Sequence, residues 1–120
     1  MGFLMLFNFF KKRKYQKIIN EAEGLLEEGK VREAIEKYEE AFDIIINVND
    51  FIKVACMYID LKEYEKGIQI FNQILEHCDE TGVSINGMCD VYFGLAVAYD
   101  CLRQINNASE YYEKAIGEGI

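Results

Sequence analysis

A chain of 120 residues with 51% hydrophobic content is the size of one domain and can bury a core, while a net charge of −8 argues against nucleic-acid binding by its body. One histidine (His77), one threonine (Thr81) and two serines (Ser84, Ser109) leave a serine–histidine triad or a multi-histidine metal site almost nothing to draw on. The absence of proline favours uninterrupted helices.

The chain opens on an apolar run, Phe3, Leu4, Met5, Leu6, Phe7, Asn8, Phe9 and Phe10, followed at once by Lys11, Lys12, Arg13 and Lys14. A secretory signal carries its positive charge before the apolar run and ends in a small-residue cleavage site, so this segment does not fit one. At helical rise eight residues reach about 12 Å, short of the roughly 20 residues a spanning helix needs. Gly2 invites myristoylation, but Leu6 stands where that motif has Ser or Thr. Residues 1–14 therefore read as an apolar plug with a polybasic flank. Two homes suit it: an anionic membrane surface, or an acidic-rimmed groove of this chain or of a second copy, the latter making a homodimer. Lys11, Lys12, Arg13, Lys14 and Lys17 precede every acid, and residues 18–120 sum to −13, so a basic head joins an acidic body.

From residue 15 onward the sequence repeats. Ala22, Leu25, Ala34, Tyr38 and Ala41 correspond to Ala55, Tyr58, Gly67, Phe71 and Ile74, and to Ala96, Tyr99, Ala108, Tyr112 and Ala115. The spacing from the first small residue to the second is 12 in each unit, and from there to the last residue it is 7. The repeat step is 33 and then 41. Each unit predicts two helices joined by a tight turn, at Glu28, Gly29 and Lys30, at Leu61, Lys62 and Glu63, and at Arg103 and Gln104. The core stripes of the first helices are Ile18, Ala22, Leu25; Phe51, Ala55, Tyr58; and Tyr92, Ala96, Tyr99. The isoleucine-rich run 42–48 continues the helical phase of Ala34, and residues 79–87, rich in turn formers, are an insertion that lengthens the flanking helices or forms a surface loop.

Segments such as Ala34, Ile35, Tyr38, Ala41 and Phe42 with their charged neighbours resemble the second half of a tetratricopeptide repeat. The resemblance covers residues 15–120 and implies an all-α fold. It would be a short right-handed superhelix of antiparallel helix pairs in about three repeats, near 15–48, 48–78 and 88–120. Three features depart from the family pattern: Ile18 where an aromatic usually opens the first helix, Gly67 as the small residue of the second unit, and no closing proline.

In that family the inner face, lined by the first helices, holds a peptide or partner segment. One residue beyond each core stripe lies a second stripe: Ile19, Glu23, Leu26 and Glu27; Ile52, Cys56, Ile59 and Asp60; and Phe93, Val97 and Asp100, with Asp90 one turn earlier. This predicts a groove with an apolar floor and acidic edges. The family's carboxylate clamp needs Lys, Arg and Asn here, and Lys53 is the only base nearby, so a free C-terminal carboxylate is disfavoured. A basic amphipathic protein segment or peptide fits instead. The alternative is a small acidic inhibitor or immunity-type protein masking a basic partner. No catalytic residue, metal or cofactor is expected. Enzymatic function would need a buried His77 within reach of Cys56, Cys89 or Cys101. None of the four cysteines forms a C-x-x-C pair, which reads as reduced, partly buried thiols in a cytoplasmic protein, peripheral to the inner membrane face if residues 1–14 meet lipid.

Overall fold

Three short turns reverse the chain, and each closes a pair of antiparallel helices. The computed structural model describes residues 2–42, 44, 48–81 and 87–118. Among these residues it contains six α-helices and no strand: α1 (Phe3–Glu27), α2 (Val31–Phe42), α3 (Val48–Asp60), α4 (Tyr64–Thr81), α5 (Met88–Cys101) and α6 (Ile105–Gly117). Helix α1 packs on α2, α3 on α4 and α5 on α6, with α5 also against α3 and α4. The chain divides into two compact units, residues 1–47 and 48–120.

The turns sit at one repeat position. Gly29, Lys62 and Arg103 all have positive φ, at 78°, 64° and 62°. In each turn the residue after it donates its backbone N–H to the carbonyl five residues back along the helix end. Lys30 donates to Leu25, Glu63 to Tyr58 and Gln104 to Tyr99, at 2.8–2.9 Å. The positive-φ residue itself donates to Leu26, Ile59 or Asp100 at 2.9 Å. This double bond pattern satisfies the orphan carbonyls of a helix C-terminus and requires a left-handed residue. Glycine meets the requirement without strain in the first pair only.

In the first unit the core is Tyr15, Ile19 and Ala22 of α1 against Ala34, Ile35, Tyr38 and Ala41 of α2, all under 9% exposed. Of the expected stripe Ala22 is fully buried, Ile18 and Leu25 are half-buried, and Tyr15 and Ile19 are enclosed beside them. Burial on α1 begins at Tyr15, although the helix itself starts at Phe3 and runs unbroken through the basic cluster. The helix is therefore continuous across the charge shift at residue 14. Lysine and arginine are good helix formers, and nothing in the stretch breaks the backbone pattern. The opposite expectation, helical phase running on through 42–48, is corrected. Helix α2 stops at Phe42 and Ile44 lies in a turn, its N–H bonded to the carbonyl of Ala41 at 3.0 Å. Residues 43 and 45–47 of that run lie outside the described residues.

In the second unit Ala55, Phe71, Ile74, Cys78, Val91 and Leu95 form the central cluster. Val54, Met57 and Ala98 are buried as well, so α3 and α5 bury a wider arc than the expected stripes. Of the insertion, residues 79–81 extend α4, Gly87 forms a turn before α5, and residues 82–86 lie outside the described residues. Close packing is tightest at Gly94, where a Cβ would lie 2.5 Å from Cζ of the fully buried Phe71.

The two kinds of glycine site give opposite expectations. Gly94→Ala should lower stability by about 1–3 kcal/mol, because the ring it strikes has no room to move. Gly24→Ala, in open space on α1, should raise stability by about 1 kcal/mol through helix propensity. Urea midpoints of the two variants check both signs.

The turns make a second test. Lys62→Gly and Arg103→Gly each relieve a left-handed side chain and should add about 0.5–1 kcal/mol, whereas Gly29→Ala should remove about 1 kcal/mol. Thermal melts that rank these three variants otherwise would contradict the role given to the turns.

Candidate partner-binding face

The exposed side of the second unit is built from two adjacent helices. Helix α3 presents Ile52, Cys56, Ile59 and Asp60, and α5 presents Asp90, Phe93, Val97 and Asp100. The helical periods place these residues on one side of each helix, opposite the buried Val54, Val91 and Leu95. Ile52 and Ile59 are half-buried and rest against the central cluster, so their outer surface forms a floor anchored in the core. Phe93 is the prominent apolar group, 47% exposed, its ring edge-on to Tyr112 at 5.9 Å.

Electrostatics join the two stripes. The Cys56 thiol is pushed above the ordinary range first by burial and then by the carboxylates of Asp60, on its own helix, and Asp90, on α5. An aspartate of α5 therefore lies close enough to act on a thiol of α3. Tyr112 of α6 donates to Asp100 at 3.4 Å, and burial followed by the Asp100 charge raises its phenol. At the end of the same face the Tyr64 hydroxyl bonds the Cys101 sulfur, which raises that phenol too. The second unit carries 5 basic residues against 12 acidic ones, a net −7.

The residues expected on this face in the first unit fare differently. Glu23 and Glu27 are exposed and Leu26 is half-buried. Ile19 is only 5% exposed and belongs to the α1–α2 core, so it has no surface to offer a partner. Tyr112, at the repeat position of the buried Tyr38 and Phe71, is only half-buried and joins this face. It lies on α6, and only the α5–α6 pairing brings it to Phe93 and Asp100.

The N-terminal residues form a second exposed surface. Leu4, Leu6, Phe7, Phe9 and Phe10 are 46–70% exposed, and Met5 joins them at 60%. Lys11, Lys12, Arg13 and Lys14 are exposed as well. The side chain of Phe3 lies outside the described residues. The Lys11 ammonium sits 4.7 Å above the Phe7 ring. A shallow cleft lined by Phe10, Arg13, Lys14, Gln16, Lys17, Asn20 and Glu21 runs along α1.

His77 is exposed, which removes the buried imidazole that a cysteine–histidine enzyme would need. The cysteines are free, with Cys78 buried, Cys89 half-buried, and Cys56 and Cys101 exposed. No group of three His, Cys, Asp or Glu side chains suited to a metal ion occurs among the described residues. No described helix is long and apolar enough to cross a membrane.

Comparison with known proteins places this architecture. The sequence profile of the tetratricopeptide repeat matches residues 90–117, the α5–α6 pair. No curated protein matches the chain in sequence. Among solved structures, the TPR2AB-domain complex of yeast Sti1 with an HSP90 peptide superposes with a TM-score of 0.76 at 22% identity, covering 90% of this chain and 42% of that one. This chain thus spans less than half of that relative. The TPR domain of Arabidopsis FLU gives a TM-score of 0.74 at 17% identity, over 89% of this chain and 95% of that one. The second TPR of Spaghetti (RPAP3), bound to the HSP90 peptide SRMEEVD, gives 0.74 at 18% identity, over 97% and 96%. The fold is that of the tetratricopeptide repeat, with six helices making about three repeats.

The linkage of Cys56 to both helices is testable by its reactivity. A raised thiol pKa means less thiolate at neutral pH, so Cys56 should alkylate more slowly with iodoacetamide than a free cysteine despite its exposure. The paired variant Asp60→Asn, Asp90→Asn should speed the reaction at that residue, read by peptide mass spectrometry. Only part of the deficit should be recovered, because burial is the larger cause.

Proposed function

We propose that this three-repeat helical chain is a non-catalytic protein–protein interaction module. It binds a basic, amphipathic partner segment on the α3–α5 face and is held at a membrane surface by residues 1–14. The observation that carries the reading is the adjacency of two stripes, apolar at Ile52, Ile59, Phe93 and Val97 and acidic at Asp60, Asp90 and Asp100. A helix or extended segment with one apolar side would place that side on the floor and its Lys or Arg residues against the aspartates. Solved relatives with this fold hold peptides, which supports the use of the face but not the chemistry of the ligand. The peptide SRMEEVD, held by the second TPR of Spaghetti, is acidic at its end. A face of aspartates repels such an end. The reading places the protein in the cytoplasm, peripheral to the inner membrane face.

Fluorescence anisotropy with a labelled basic amphipathic helix tests the proposal. Phe93→Ala should raise the off-rate tenfold or more, as loss of a central aromatic anchor does. Charge reversal of Asp60, Asp90 and Asp100 to Lys should cut the on-rate about tenfold and flatten its salt dependence, since rim charges steer encounter. SRMEEVD should bind more weakly than the basic peptide. Tighter binding of SRMEEVD, or no effect of the triple reversal, defeats the reading. Stoichiometric capture of one folded basic protein with no affinity for short basic peptides would favour an acidic inhibitor or immunity-type protein instead.

A further inference from the structure

The overhang of α1 needs a cover, and the geometry points to lipid on every side of it: residues 4–10 are immersed at the headgroup–acyl boundary of one anionic leaflet, not laid by one side in a groove or against a second copy. The inference rests on reading residues 1–14 as a membrane tether, and it adds how the tether is held.

Azimuth carries the argument. Leu4, Met5, Leu6 and Phe7 are consecutive on a continuous helix, so they point about 100° apart and reach every side of it. They are 70%, 60%, 56% and 46% exposed, and Phe9 and Phe10 add 57% and 56%. Asn8 is the one polar residue among positions 4–10. One i, i+3, i+4, i+7 stripe, that of Phe7, Phe10, Lys11 and Lys14, borders an open pocket with Ile44, yet Phe7 and Phe10 stay about half exposed there. A protein groove or a partner helix on any one stripe leaves the far side in water. Acyl chains have no preferred side and solvate all of them.

The charges fix the depth. Lys11, Lys12, Arg13 and Lys14 are again consecutive, so they form a collar around the whole helix and not a stripe. Their long stems can lie along apolar surface while the heads reach phosphates. The cleft that opens beside the collar has Arg13, Lys14 and Lys17 along it with Glu21 at its far end, so its basic part lies next to the collar, where anionic headgroups would be. At the other end, Gly2 supplies no side-chain acceptor to the first-turn N–H groups, which therefore also belong near polar headgroups. Both ends of the apolar stretch are thus held at the polar layer. The helix lies shallow, submerged by about its own thickness, a depth of roughly 5–10 Å.

The chain contains no tryptophan, so one placed by substitution is a unique reporter. Full-length Met5→Trp, Leu6→Trp and Phe7→Trp variants are mixed with vesicles of phosphatidylcholine containing phosphatidylserine. All three emissions should shift to the blue and be quenched by brominated acyl chains. Neutralising Lys11, Lys12, Arg13 and Lys14 to Gln should weaken partitioning about fivefold per charge. If vesicles bind but only one or two of the three reporters respond, the tether stands and all-round immersion is overturned. If the shift appears without vesicles and grows with protein concentration, the cover is a second copy and the inference fails. If no variant partitions, the tether falls with it.

Discussion

Close approach of paired helices is the constraint on which the rest of this structure depends. Small residues stand at the same two repeat positions of each pair, Ala22 and Ala34, Ala55 and Gly67, Ala96 and Ala108, and the alanines are 0–3% exposed. At Gly67 a Cβ would sit 3.1 Å from the carbonyl of Ala55 and 2.9 Å from the Ile59 side chain. With backbones this near, aromatic residues such as Tyr38 and Phe71 are enclosed completely one turn further on. The outward stripes then follow, because a helix fixed in azimuth by its crossing residues has no freedom over what it shows to solvent.

Much of this was legible in the sequence, and for a definite reason. The steps of 33 and 41 between small residues are also the steps between Gly29, Lys62 and Arg103. A reader who finds the crossing residues has found the turns, because both are set by the length of one helix. What was not legible was the extent of burial. Helix α5 packs against α3, α4 and α6, so Val91, Leu95 and Ala98 disappear along with Ala96, and one stripe understates the core. The corresponding positions in α1 are Lys17, Glu21 and Gly24, where no hydrophobic residue stands. Repeat periodicity alone treats the three helices alike, but the residue chemistry at these positions does not.

Of the residues expected on one face, those of α3 and α5 are half-buried or exposed, whereas Ile19 of α1 is enclosed. Ile19 has the same repeat position as Ile52 and Phe93, yet its exposure is 5%. Ile18 and Leu25 are half-buried, as are Phe51, Tyr58, Tyr92 and Tyr99 at the same positions of α3 and α5, so what sets α1 apart is that Tyr15 and Ile19 are enclosed as well. Sequence spacing cannot reveal which of the two is enclosed, since Ile18 and Ile19 are the same amino acid side by side.

The three-residue turns have a consequence for how the molecule comes into being. Each helix pair is closed by only three residues between the helices, so the partners that must meet are already neighbours along the chain. Little entropy is lost in bringing them together, and folds made of such local contacts assemble quickly. A pair such as α1 and α2 has its whole core, from Tyr15 to Ala41, in hand before α3 has been synthesised. Assembly can therefore proceed pair by pair from the N-terminus during translation.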